Sequence, residues 1–294
     1  MSQLDLNTDP EGAHSKTGEK RPPFSARLLN RSFWLLYDNL FKGVVINFVL
    51  FMPMLAVFML MLKFRLYADT LALLGVIFSL VMLWHLFAPA YIYYWIKVLR
   101  GDEQEETMRD LLLRGFRKFW LKGIIIGLIN MTAVMAGVAA INFYKSLMHL
   151  GQIISVIGGI GIWIFLMFVM AQIFLLPILV LDEKKRIFTS YKKAFIMLLS
   201  VPFGAIFISL MFGYLTLVFY IGIHFLGAHV TPLVQLLGLF PLFLMPFITI
   251  SWIIIVQVNA AVLVYEKHGV LPDISETWET RGLSNFFKPW ETKK

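Results

Sequence analysis

The chain has 294 residues, 59% of them hydrophobic and only 15% charged, against about 25% charged in an ordinary soluble domain. That leaves too little polar surface for a soluble protein. The formal charge of +8 fits basic loops beside an anionic leaflet, each attracted by about 1 kcal/mol, and no basic patch on a soluble fold points to nucleic acid. With no cysteine, disulfides, thiolate catalysis and cysteine-held metals are excluded.

Residues 1–26 are polar, carry Pro10, Gly12, Gly18, Pro22 and Pro23, and contain no apolar stretch of the signal-peptide kind. They read as a disordered cytoplasmic tail, which leaves membrane insertion to the first true span. Residues 27–42 place Leu28, Leu29, Phe33, Leu36, Tyr37 and Leu40 at three- and four-residue steps, so one helical face is apolar. Two readings fit that face: an interfacial helix lying on the cytoplasmic leaflet, or a helix packed against the bundle.

Six apolar runs follow. Residues 43–62 are interrupted only by Asn47 and end at Lys63, Arg65 and Asp69; residues 70–96 close on Tyr91, Tyr93, Tyr94 and Trp95, the composition of an interface belt. Residues 100–118 are charged but carry Leu111, Leu112, Leu113 and Phe116, a second amphipathic segment. Spans three and four occupy about 121–144 and 152–181. A basic loop, residues 182–193, precedes span five at about 195–225. Span six, about 232–265, contains Pro241 and Pro246 and is either kinked or opens with a re-entrant piece. Residues 269–294 set Trp278, Phe286, Phe287 and Trp290 among charges, which reads as a cytoplasmic tail anchored at the headgroups or as a docking peptide.

Of the 26 Lys and Arg residues, 23 lie outside three gaps that hold only Lys63, Arg65 and Lys145. Basic loops remain cytoplasmic, so both termini are expected there. The expected fold is all-α: a polytopic membrane protein whose residues 27–268 form six transmembrane helices in three hairpins, with amphipathic cytoplasmic interfacial helices. A faint internal repeat supports the hairpins. Phe41-Lys42-Gly43-Val44-Val45-Ile46 returns as Leu121-Lys122-Gly123-Ile124-Ile125-Ile126, with a weaker echo at Pro202-Phe203-Gly204-Ala205-Ile206-Phe207. Each return span then runs into acid, at Asp102-Glu103, Asp182-Glu183 and Glu266.

No expected membrane core holds Asp, Glu, Lys or Arg. This counts against an ion-coupled pump and against an intramembrane aspartyl or metalloprotease. Neither a catalytic residue nor a metal or cofactor is therefore expected. The polar residues in the spans are Asn47, His85, Asn130, Thr132, Gln172, Gln257 and Asn259. Each needs a hydrogen-bond partner in hydrocarbon. They serve either as glue between helices, at about 0.6 kcal/mol per contact, or as the lining of one cavity. The candidate intramembrane polar site is His85, Asn130, Gln172, Gln257 and Asn259, of which the last three share a similar depth. His85, between Trp84 and Pro89, reads as a neutral, hydrogen-bonded histidine or as a proton-responsive switch. His149, His224 and His229 match no zinc-ligand spacing. Gly123, Gly127, Ala133, Gly137, Gly158 and Gly159 are expected to bring spans three and four close together.

Phe87-Ala88-Pro89-Ala90, Arg100-Gly101, then Phe116, Lys118 and Phe119-Trp120 before Gly123 form a pattern. Leu176-Pro177, Tyr191-Lys192-Lys193-Ala194-Phe195 and Pro202 continue it. Over about residues 28–268 the chain resembles the YesL-like family of bacterial multi-spanning membrane proteins. The resemblance implies a protein of the bacterial inner (plasma) membrane, often associated with sugar-uptake genes, with no established activity and no catalytic residues to carry over. The expected function is that of a non-enzymatic accessory, assembly or regulatory subunit, whose partners are the lipid bilayer and a membrane or cytoplasmic protein. The alternative is a permease for a small neutral solute.

Overall fold

A computed structural model describes residues 23–64, 70–101, 106–147, 152–183, 186–211, 213–214, 232–268 and 270–271. In chain order the helices are α1 (Phe24–Asp38), α2 (Leu40–Lys63), α3 (Thr70–Arg100), α4 (Met108–Leu147), α5 (Gln152–Leu181), α6 (Ile187–Ser200), α7 (Pro202–Met211) and α8 (Pro232–Lys267). Four of them, α3, α4, α5 and α8, are long and apolar enough to cross a membrane, and the number is six if each bent pair, α1–α2 and α6–α7, is one span. The chain is thus an all-α polytopic membrane protein. The first helix begins at Phe24, inside the expected tail, while residues 1–22 and 272–294 lie outside the described residues.

Three expected boundaries differ, each for a local reason. The segment 27–42 does not stop at Lys42: α1 ends at Asp38, and the chain turns by 82° into α2. Asn39 makes the corner, its N–H donating to the Leu36 carbonyl at 3.2 Å and its side-chain amide to the Leu35 carbonyl at 3.1 Å. These bonds satisfy carbonyls that a helix end leaves open. The expected fifth span is broken by 98° between α6 and α7. Val201, at φ −136° and ψ 58°, precedes Pro202, whose ring excludes the helical conformation from the residue before it while suiting the first position of the next helix.

The second amphipathic segment and the third span are instead one helix, α4, of 40 residues. At 1.5 Å per residue it is roughly 60 Å long, about twice the ~30 Å hydrocarbon thickness. No proline interrupts it, and its start is fixed by Thr107, whose hydroxyl accepts from the Asp110 N–H at 3.3 Å and donates to the Asp110 carboxylate at 2.6 Å. The hydroxyl thereby satisfies one open donor in the first turn, and the carboxylate holds it in place. Before it, α3 stops at Gly101, whose φ of 75° only glycine adopts at no steric cost.

The core lies where α3, α5 and α8 meet, each touching the other two. The stretches Ala88–Leu99, Ala171–Val180 and Ile254–Tyr265 are buried nearly all round, as an all-apolar helix must be. Around them α4 packs on α3, α6 on α5, and α1 and α2 on α8. Ion pairs tie the same neighbours at one end of the bundle. Arg31 on α1, fully buried, donates to both Glu266 carboxylate oxygens on α8 at 3.0 and 3.2 Å. Lys193 on α6 pairs with Asp182 after α5, which also accepts from the Tyr265 hydroxyl at 3.0 Å. Lys118 on α4 pairs with Glu183, and Lys122 donates to the Glu183 carbonyl at 2.7 Å.

Candidate functional site: an intramembrane cavity floored by carboxamides

Pro89 on α3 has no N–H, so the His85 carbonyl one turn earlier loses its helical donor. Gly123 on α4 sits against that oxygen: a Cβ there would overlap it and lie 3.2 Å from the carbonyl carbon. The glycine Cα–H takes the place of the missing donor as a weak contact. One turn along α4, a Cβ on Gly127 would come within 3.0 Å of the His85 Cβ. Asn130 follows on the same helical face, since i, i+4 and i+7 align. Gly123 and Gly127, expected to join α4 to α5, therefore seat α4 on α3. It is Gly137, beneath the Phe165 ring, and Gly158, against Tyr144, that let α4 and α5 approach.

This packing delivers a hydrogen-bonded chain whose direction follows from its Val81 end and the Asn130 amide. The His85 Nδ1 lies 2.9 Å from the Val81 carbonyl, which can only accept, so Nδ1 carries the proton. Nε2 then accepts from the Asn130 amide nitrogen at 3.0 Å, and the Asn130 Oδ1 accepts from the Tyr191 hydroxyl at 2.7 Å. The imidazole is the neutral Nδ1–H tautomer with both nitrogens engaged. The Tyr191 ring stacks on Phe168 of α5, with centroids 6.3 Å apart and planes at 12°. Tyr191 therefore carries α6 onto both α4 and α5.

Beside this chain lies a cavity of about 690 Å³ between α3, α4, α5 and α8, lined by His85, Asn130, Asn142, Gln172 and Gln257 among Trp84, Met131, Met135, Phe168 and other apolar side chains. The contact of Gly137 with Phe165 sets the register of the antiparallel α4 and α5. Seven residues from that pair in each helix lie Asn130 and Gln172, so the two amides share one level. Gln172 donates to the Phe168 carbonyl at 3.2 Å, leaving its Oε1 open, and among the described residues the side chains of Gln257 and Asn142 make no hydrogen bond. From this polar floor the wall runs along α4 through Val134, Met135 and Val138 to Asn142, roughly 18 Å away at 1.5 Å per residue. Among the described residues, no charged side chain lines the cavity.

His85, Asn130, Gln172 and Gln257 thus line one cavity, but Asn259 does not join them. It stands two positions from Gln257, about 200° around the helix, and its amide donates to Ser32 of α1 at 3.0 Å in a buried contact. Asn47 belongs to another cluster, accepting from the Tyr91 hydroxyl beside Ser251 and the Gly43 carbonyl, and Thr132 is exposed. His149, His224 and His229 lie outside the described residues.

Two members of the site are not evident from sequence alone. Tyr191 falls in a segment that reads as a basic loop, although the buried positions Ser190, Ala194, Met197 and Leu198 repeat at helical steps. Asn142 sits near the end of its span, where a polar residue needs no explanation. The arrangement can desolvate an uncharged molecule and offer it carboxamide donors and acceptors. No protein-family model, curated protein or solved structure matches this chain.

Proposed function

We propose that the chain is a non-enzymatic, six-span protein of a bacterial plasma membrane, with both termini cytoplasmic, that binds an uncharged solute in this cavity and lets it cross the bilayer. The cavity carries the proposal: open carboxamides at mid-membrane, with no ionic group beside them among the described residues, suit a neutral solute and not an ion. The 23-to-3 division of Lys and Arg supports the orientation, and the motifs shared with the YesL-like family support the bacterial membrane. An accessory subunit has no need of such a cavity, so the permease is preferred.

The test is stopped-flow light scattering of proteoliposomes with glycerol, urea and glucose as osmolytes. Permeability to an uncharged osmolyte is expected to exceed that of empty vesicles, and to be lost in the double variant Gln172→Leu/Gln257→Leu. Equal permeability with and without protein, or a double variant that conducts like the parent, sinks the permease. A stoichiometric protein that co-purifies in native lipid particles would instead favour the accessory subunit.

A further inference from the structure

We infer that the natural solute is an uncharged amphiphile: a compact head of hydroxyl or amide groups on an alkyl or aryl body. This rests on the solute-binding reading above and names its substrate class. Apart from Asn142 at the far end, the polar groups of the cavity are gathered on one side of it. His85, Asn130, Gln172 and Gln257 line the cavity toward one end, but His85 has both nitrogens occupied within the protein and Asn130 bonds His85 and Tyr191, so recognition falls chiefly to the carboxamides of Gln172 and Gln257. Those can satisfy a head with two or three hydrogen-bonding groups. A sugar, hydroxylated on every side, would press the rest of its hydroxyls against Trp84, Met131 and Val134. Each hydroxyl left unsatisfied weakens binding by about five-fold to a hundred-fold.

The wall above the floor favours the opposite chemistry. Val134, Met135 and Val138 line the cavity and are 40%, 54% and 50% exposed, so its opening is apolar and lies at the depth of the bilayer interior. A body of methylenes placed there gains about three- to four-fold in affinity for each group buried. Floor and wall together read head and tail.

The experiment uses the full chain in nanodiscs. Its lack of cysteine lets one environment-sensitive fluorophore be attached at Met135→Cys, with Val156→Cys, exposed and outside the cavity, reporting partition into lipid. Glycerol, 1-O-methylglycerol, 1-O-butylglycerol and glucose are titrated. At Met135 the half-saturating concentration is expected to fall about 40-fold from the methyl to the butyl ether, at three- to four-fold per methylene. Glucose should give no response, and Gln257→Leu should weaken the ethers at least ten-fold. A series independent of chain length overturns the inference, as does glucose binding as tightly as the butyl ether. Identical curves at Met135 and Val156, or no effect of Gln257→Leu, overturn it too. Binding is read at equilibrium, so a protein that binds the series yet shows no flux loses the permease reading alone.

Discussion

Gly123 is where one added methyl group separates packing from chemistry. In Gly123→Ala the new Cβ overlaps the His85 carbonyl oxygen and lies 3.2 Å from its carbon and 3.4 Å from the Pro89 ring. All three belong to backbone or a proline ring, so no flexible side chain can yield. Restoring a normal C···O contact of ~3.3 Å moves α4 away from α3 by about 1 Å. Overpacking of this kind costs about 1–3 kcal/mol. The shift also stretches Asn130–His85 and Tyr191–Asn130, worth about 0.6 kcal/mol each in a membrane protein, for about 2–4 kcal/mol in total. Gly159→Ala in α5 is the matched control, since its Cβ meets nothing within 4 Å and a helical alanine gains about 0.5–1 kcal/mol. Thermal unfolding in mild detergent, followed by fluorescence-detected gel filtration, should place the midpoint of Gly123→Ala well below the parent and that of Gly159→Ala at or above it. Equal midpoints for the two variants would refute the close approach of α3 and α4 on which the site is built.

Three further outcomes follow from named contacts. Arg31→Met leaves Glu266 buried without its main partner and should cost about 3–5 kcal/mol, while the double variant Arg31→Met/Glu266→Leu should recover most of that in the same unfolding assay. Tyr191→Phe keeps the stack on Phe168 but removes the bond to Asn130. It should lower stability by only about 0.6 kcal/mol yet change the Asn130 side-chain amide signal in NMR of selectively labelled protein. Lys118→Gln removes an ion pair whose partners are 42% and 36% exposed, and screening by solvent should hold the loss within about 1 kcal/mol.

Apolar runs separated by charge make the long helices legible, because only a helix hides its backbone polar groups in lipid. Where the helices bend is less legible. Pro202 marks the break at Val201, but the corner at Asn39 has no proline and depends on a side-chain cap that many sequences could make. At α4 the charges of residues 109–118 suggest an amphipathic segment separate from the span, although nothing between the two opposes one continuous helix and Thr107 caps its start. Four of the five candidate site residues line one cavity, but only His85 and Asn130 pair across helices as a polar group in hydrocarbon must, and Gln172 turns back on its own helix. Asn259 fails for a reason visible in its spacing, since it stands two residues from Gln257 and cannot share its face. Tyr191 is hidden because its partner, Asn130, is 61 residues away on another helix; no local pattern announces such a pairing.

The ion pair between Arg31 and Glu266 also orders events during synthesis. Its partners are 235 residues apart, and at roughly 5–20 residues per second the ribosome needs on the order of 10–50 s to reach the second after making the first. Throughout that interval the arginine has no carboxylate from α8 and must remain hydrated among the headgroups. The first helix made is therefore among the last to dock. A nascent chain released before α8 would carry an undocked, positively charged amphipathic arm, a mark by which a membrane protease could tell an unfinished copy from a finished one.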